Sequence, residues 1–155
     1  MPEPSLDEES ARLHRRFGAL GNNRAWELSL RHRTPAEDEE MLQAGYASAW
    51  HWRQVGTELN RMRGAMLLAE IHALLGHGTQ AWTHAEQIRD YFLRTGAADW
   101  EIALVHAIHA HAAAASGRKT EHRDSYERAA QALAAVASEK DRSIVASTFA
   151  QVPKP

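Results

Sequence analysis

The chain has 155 residues, among them 29 Ala and 10 His, with a formal net charge of −2 at pH 7. Leu, Ile, Val and Phe together number 27, about 17% and under the roughly 20% that goes with disorder, but disorder also needs high net charge. Five Trp, three Tyr and three Phe supply bulk, so the composition points to one helical domain with thin, Ala-lined contacts. Cysteine is absent, which excludes disulfide scaffolds, Cys-based metal centres and thiol nucleophiles.

The N-terminus is acidic and carries no apolar run, so no secretory leader is expected. Residues 1–5 read as a disordered tail, residues 6–151 as a single helical domain, and residues 152–155 as a second tail. A first helix is expected near 6–31, opened by a weak box at Ser5-Leu6-Asp7-Glu8 and interrupted at Gly21-Asn22-Asn23. The next is better marked. Thr34 caps, Pro35 fits the first helical position and Glu37 closes a capping box, with Asp38, Glu39 and Glu40 at the positive end of the helix dipole. This predicts a helix over 35–55. Glycine stops and apolar periodicity then predict helices at 58–75, 79–95, 99–116, 120–138 and 141–151. No window alternates as a strand does. The product is an all-α chain of about seven helices in antiparallel neighbouring pairs.

Glycines also recur: Gly76 and Gly117 lie 41 apart, Gly56 and Gly96 lie 40 apart. A two-helix unit of about 40 residues is the mark of a helical solenoid. The clearest unit carries Leu68, Ala69, His72, Gly76, Ala81, Ala85 and Ile88, and it resembles the tetratricopeptide repeat. The second unit keeps Ala110, Gly117, Tyr126 and Ala129. A further resemblance runs from about residue 15 to residue 145. Asn23-Arg24-Ala25-Trp26, Arg33 to Met41, Trp50 to Thr57, Asn60 and Arg63-Gly64 are similar to small uncharacterised bacterial proteins of tetratricopeptide-like helical fold. The resemblance implies antiparallel helix pairs stacked as a short right-handed array, and it implies no activity.

Two constellations are candidates for chemistry. At the turn Gly56-Thr57, His51 and Trp52 precede and Asn60 and Arg63 follow at one helical turn each, a spacing that predicts convergence of the four side chains. The functional reading is a polar pocket with His51 as proton carrier and Arg63 as anion clamp; the competing reading is a buried network that fixes the helix angle. In helix 99–116, His106 and His109 are three residues apart, a spacing that suits two metal ligands, but no third ligand stands nearby. Both His109 and His72 fall at packed positions of the repeat. Trp26, Trp82 and Trp100 read as packing. No cofactor is expected, since there is neither a phosphate-cradling Gly-rich loop nor a dinucleotide fingerprint, and no glycine elbow surrounds Ser29, Ser48 or Ser125.

In tetratricopeptide-like arrays the first helix of each pair lines the concave face. Carried onto this chain, that resemblance implies that Arg63, Met66, Glu70, Leu104 and His111 point inward, where a peptide or partner protein would bind. The expected function is a non-catalytic interaction or scaffold module. The alternatives are a small-molecule or metal-binding protein using a buried His/Arg/Glu cluster, and a structural homo-oligomer, with a homodimer as the simplest case. Neither nucleic acid nor membrane is an expected partner, because the charge is balanced and no apolar stretch approaches a span. A cytoplasmic location is expected.

Overall fold

The computed structural model describes residues 6–155. Residues 1–5, with the Ser5 half of the expected first capping box and the expected N-terminal tail, lie outside the described residues. The described residues form α1 (Glu8–Ser29), α2 (Pro35–Val55), α3 (Glu58–Leu74), α4 (Gly78–Arg94), α5 (Asp99–Ala115), α6 (Lys119–Ala135) and α7 (Glu139–Phe149), with no strands among them.

Local chemistry sets most of the ends. Asp7 caps α1, its carboxylate accepting from the Ser10 amide at 2.7 Å. Thr34 and Glu37 form the reciprocal box that opens α2, and Thr57 and Asn60 form another that opens α3. Gly76, Gly96 and Gly117 take φ of 74°, 67° and 72°, the left-handed conformation that closes a helix and is open to glycine at no steric cost. The Gly76 and Gly117 turns are twins: the His77 amide donates to the His72 carbonyl, and the Arg118 amide to the Ala113 carbonyl. Gly56 departs from this pattern. Its φ is −79°, and the chain passes extended into Thr57, so Gly56 and Gly96 are not equivalent stops.

The interruption expected at Gly21-Asn22-Asn23 is not there. Helix α1 runs through it, and Gly21 marks a close crossing: a Cβ at that position would stand 2.8 Å from the Ala44 carbonyl oxygen of α2. A second crossing of this kind joins the repeats. A Cβ on Gly78 would meet the Ala115 carbonyl oxygen at 2.5 Å and the Ser116 Cα at 2.9 Å. Backbone does not yield as a flexible side chain does, so Gly78→Ala is expected to destabilise by about 1–3 kcal/mol, read as a lower urea midpoint at unchanged slope.

Each helix packs on the next in sequence, and the odd-numbered helices also pack in series, α1 on α3, α3 on α5 and α5 on α7. Among the described residues no two even-numbered helices bring Cα atoms within 8 Å of each other. The result is a small two-layer helical array, with a continuous odd layer and a spaced even layer. Helices α3 and α5 carry the centre: residues 64–73 and 103–113 are buried without a break. A helix enclosed on all sides needs small residues where its neighbours approach, and Ala65, Ala69, Ala73, Ala103, Ala107, Ala110, Ala112 and Ala113 supply them. Phe92, Leu28, Met41, Leu67, Ile71, Ile88 and Ile108 fill the remaining volume. Past α7 the chain stays attached. Val152 is buried with Ala107, Ala110 and Ala129, and His122 donates through Nε2 to the Pro153 carbonyl at 2.6 Å.

Candidate functional site

The odd layer encloses a cavity of about 280 Å³ lined by Asn22, Trp26 and Leu30 of α1, Arg63 and Met66 of α3, Trp100 and Leu104 of α5, and Ile144 and Thr148 of α7. Its walls are mostly apolar. Trp26 and Trp100 pack against the core on one side and present ring surface to the cavity on the other. Leu30 and Ile144, 47% and 54% exposed, form the rim. Helix α7 therefore walls the space and does not fill it.

Arg63 is the only cationic side chain of that lining. Its Nε donates to Glu101 Oε1 at 2.7 Å, and the guanidinium lies over the Trp100 ring at 5.8 Å from the centroid. Glu101 is buried and Arg63 is about half exposed. The Nη groups form no hydrogen bond among the described residues, so Arg63 presents donors at the cavity mouth while its stem is fixed. A smaller hollow shares Asn22 and Arg63 with the cavity and adds Trp52, Asn60 and Gly64.

Three of the four residues expected to converge at the Gly56-Thr57 turn do so: Trp52, Asn60 and Arg63 line that hollow. His51 does not join them. Successive residues on a helix point about 100° apart, and His51 turns toward α1, where its Nδ1 lies 2.9 Å from that of His14 and its ring sits against Phe17 and Trp50. Burial, and then the neighbouring His14, lower its pKa. Asn60 has a structural task as well, since its Oδ1 accepts from the Thr57 amide at 3.1 Å. Trp52 lies under Gly18, where a Cβ would stand 2.9 Å from its ring.

Behind the cavity, Glu70 and His111 join α3 to α5. Glu70 is 0% exposed, and His111 Nδ1–H lies 3.1 Å from both carboxylate oxygens. Arg63 with Glu101, Met66 with Leu104 and Glu70 with His111 are thus successive levels of one α3–α5 seam. The first two levels face the cavity, but the third is sealed, so Glu70 and His111, expected on the open inward face, are closed off by their packing against each other.

His106 and His109 do not form a metal pair. Both His109 nitrogens are occupied, Nε2 by Glu86 Oε1 at 2.6 Å and Nδ1 by Ser125 Oγ at 2.7 Å. The carboxylate only accepts, so Nε2 carries the proton and Nδ1 accepts from the Ser125 hydroxyl. Burial lowers the His109 pKa, and the Glu86 bond partly opposes that. Among the described residues no group of three or more His, Cys, Asp or Glu is placed to hold a metal ion. The order Ser125, His109, Glu86 has the residue types of a nucleophile relay. Ser125 is buried in mid-helix, however, where the amides that would hold an oxyanion are already bonded within the helix, so the trio works as a clamp across α4, α5 and α6.

A second imidazole cluster lies between α2, α3 and α4. The His72 Nε2 is 2.7 Å from the Tyr46 hydroxyl, its Nδ1 is 3.0 Å from His77 Nδ1, and His84 stacks on it at an interplanar angle of 7°. Burial, followed by the charges of His84 and His77, lowers the His72 pKa to about 4. His84 has an enclosed Nδ1 with no partner among the described residues.

The sequence reading missed Trp26, Trp100 and Ile144 as cavity wall, Glu101 as the partner of Arg63, and Glu86 and Ser125 as partners of His109. No motif carries these: each pairing joins separate helices. The fold and cavity define a small all-helical array with an apolar recess on its odd layer. Comparison with protein families, curated proteins and solved structures finds no significant match. The likeness to tetratricopeptide-type proteins therefore rests on the motif residues quoted above. Among the described residues no helix is long and apolar enough to cross a membrane.

Proposed function

We propose that the protein is a non-catalytic interaction module that takes a large apolar side chain of a partner peptide into the odd-layer cavity, with an acidic group of that peptide on the Arg63 Nη donors. The observation that carries this is the cavity itself, about 280 Å³ with Trp26, Met66, Trp100 and Leu104 as walls. Small-molecule sites commonly run from about 300 to 1,000 Å³. This recess lies just below that range and suits one or two bulky side chains better than a cofactor. Its rim residues Leu30 and Ile144 extend the apolar surface outward, as a groove for a longer segment would. Arg63 supplies the single fixed cation beside it, and a charge at the edge of an apolar recess sets orientation more than affinity. In a tetratricopeptide-like array this layer is the concave face.

Panning a displayed peptide library on the protein tests this reading. The enriched sequences are expected to share one large apolar residue near an Asp or Glu, and the bound peptides to change Trp26 and Trp100 fluorescence. Ile144→Asp and Leu30→Asp alter exposed rim positions that the fold does not need, and each is expected to weaken binding about tenfold or more, the loss typical of an anchor contact. Enriched peptides without a common apolar residue, or binding indifferent to both substitutions, would overturn it.

A further inference from the structure

Helices α4, α5 and α6 run antiparallel in turn, so their facing positions form rungs. On one rung Glu86 of α4 and Ser125 of α6 hold His109 of α5. Stepping three residues forward along α4 and α6 means stepping three residues back along α5, and the next rung is Arg89, His106 and Arg128. The first rung is complete and the second is not. His106 is 8% exposed, its Nδ1 is enclosed without a partner, and its Nε2 makes no hydrogen bond among the described residues. Neither Arg89 nor Arg128 forms an ion pair there. Two arginines without an ion pair thus share a rung with His106, Arg89 half-buried and Arg128 exposed, and no Cα atoms of α4 and α6 come within 8 Å of each other. Beside Arg89 a surface hollow runs along α4, lined also by Glu86, Asp90, Leu93 and Arg94.

We propose that this rung is a binding site for a tetrahedral oxyanion, inorganic phosphate or the phosphoryl group of a small phosphomonoester, with Arg89 and Arg128 supplying the charge and His106 Nε2–H a central hydrogen bond. Guanidinium groups match phosphate oxygens in geometry as well as charge. The nearby carboxylates are committed elsewhere, Glu86 to His109 and Asp90 to Arg94 at 3.8 Å, while Glu121 of α6 acts on His109. The electrostatics agree with the geometry. Burial, and then the positive charges of Arg89 and Arg128, press the His106 pKa down to about 4, which keeps it a neutral donor near pH 7. An anion seated on the rung offsets the two arginines and raises that pKa. This site shares no residue with the odd-layer cavity, and it stands or falls separately from the peptide reading.

The test is titration with inorganic phosphate at constant ionic strength, observing the His106 imidazole by NMR. Saturable movement of the His106 signal, with an upward shift of its titration midpoint, is expected. The double variant Arg89→Gln/Arg128→Gln is expected to lose about tenfold or more in affinity, while Arg94→Gln, whose partner is Asp90, binds as the parent does. In phosphate-free buffer the double variant is expected to melt no lower than the parent, because it loses two unbalanced cations; a lower melting point would show the arginines to be structural and overturn the site. Phenyl phosphate separates the sources: tighter binding than inorganic phosphate assigns the site to an organic phosphomonoester, and equal binding assigns it to the free anion. Absence of saturation up to about 20 mM of either probe, the weak end of useful affinity, overturns the proposal, as does binding that the double variant leaves unchanged.

Discussion

His111→Leu is expected to cost about 3–5 kcal/mol of stability, because it removes the only hydrogen-bond partner that the sealed Glu70 side chain has among the described residues. Glu70 is 0% exposed, and the two 3.1 Å contacts with His111 Nδ1–H are the only hydrogen bonds its side chain makes among the described residues. The reverse change, Glu70→Leu, leaves a neutral ring short of one acceptor, for which about 1–3 kcal/mol is expected. The double substitution removes both polar groups and fills their volume with hydrocarbon, and such replacements are neutral or better. The expected pattern is therefore a large loss, a smaller loss and a recovery, measured as urea midpoints of the two singles and the double. Additive losses in the double, or a His111→Leu loss below about 1 kcal/mol, would show that the pair does not hold α3 to α5.

The inward face of the odd helices was partly accessible from the sequence because the chain is periodic, though the pairings across it were not. Glu70 and His111 lie 41 residues apart, the same as Gly76 and Gly117, while Arg63 and Glu101 lie 38 apart, as do Met66 and Leu104. Alignment to the repeat put Arg63, Met66, Glu70, Leu104 and His111 on the inward, partner-binding face; Arg63, Met66 and Leu104 line the cavity, whereas Glu70 and His111 are buried against each other. Capping chemistry was equally direct: Thr34, Pro35 and Glu37 are one local unit that needs no tertiary contact.

What was not legible depends on direction around a helix or on three helices at once. His51 and Trp52 are adjacent in sequence, yet one turns to His14 and the other lies under Gly18, and only the position of α1 decides which goes where. Gly21 read as an interruption because glycine lowers helix propensity, while its small size is what lets α1 cross the α2 backbone. The His109 clamp draws on Glu86, 23 residues away, and Ser125, 16 residues away, with no spacing rule to link them. Ile144 and Thr148 reach the cavity only because α7 packs on α5 as another odd helix.

Acidification from pH 7 to pH 5 is expected to destabilise the protein markedly. In the folded chain His72 and His106, 3% and 8% exposed, have pKa values of about 4, lowered first by burial and then by neighbouring positive charge. In the unfolded chain both return to about 6.5. Between these values the unfolded state binds protons that the folded state does not, so stability rises with pH across that window and falls as the pH drops through it. The contribution is complete above about pH 6.5 and is lost progressively toward pH 4, at about 1.4 kcal/mol per pH unit for each histidine. From pH 7 to pH 5 the two together remove about 4 kcal/mol, a large part of the 5–15 kcal/mol that holds a typical domain. His51, His84 and His109, whose pKa values are also lowered mainly by burial, act in the same direction. For a chain of this length the expected readout is a melting temperature roughly 10 °C lower at pH 5 than at pH 7. His72→Gln and His106→Gln each remove one titrating ring and are expected to flatten the pH dependence by about a third to a half, whatever they do to stability at pH 7. A melting temperature that stays level from pH 8 to pH 5 would mean that these rings already carry their protons in the folded chain, and the burial argument would fail with them.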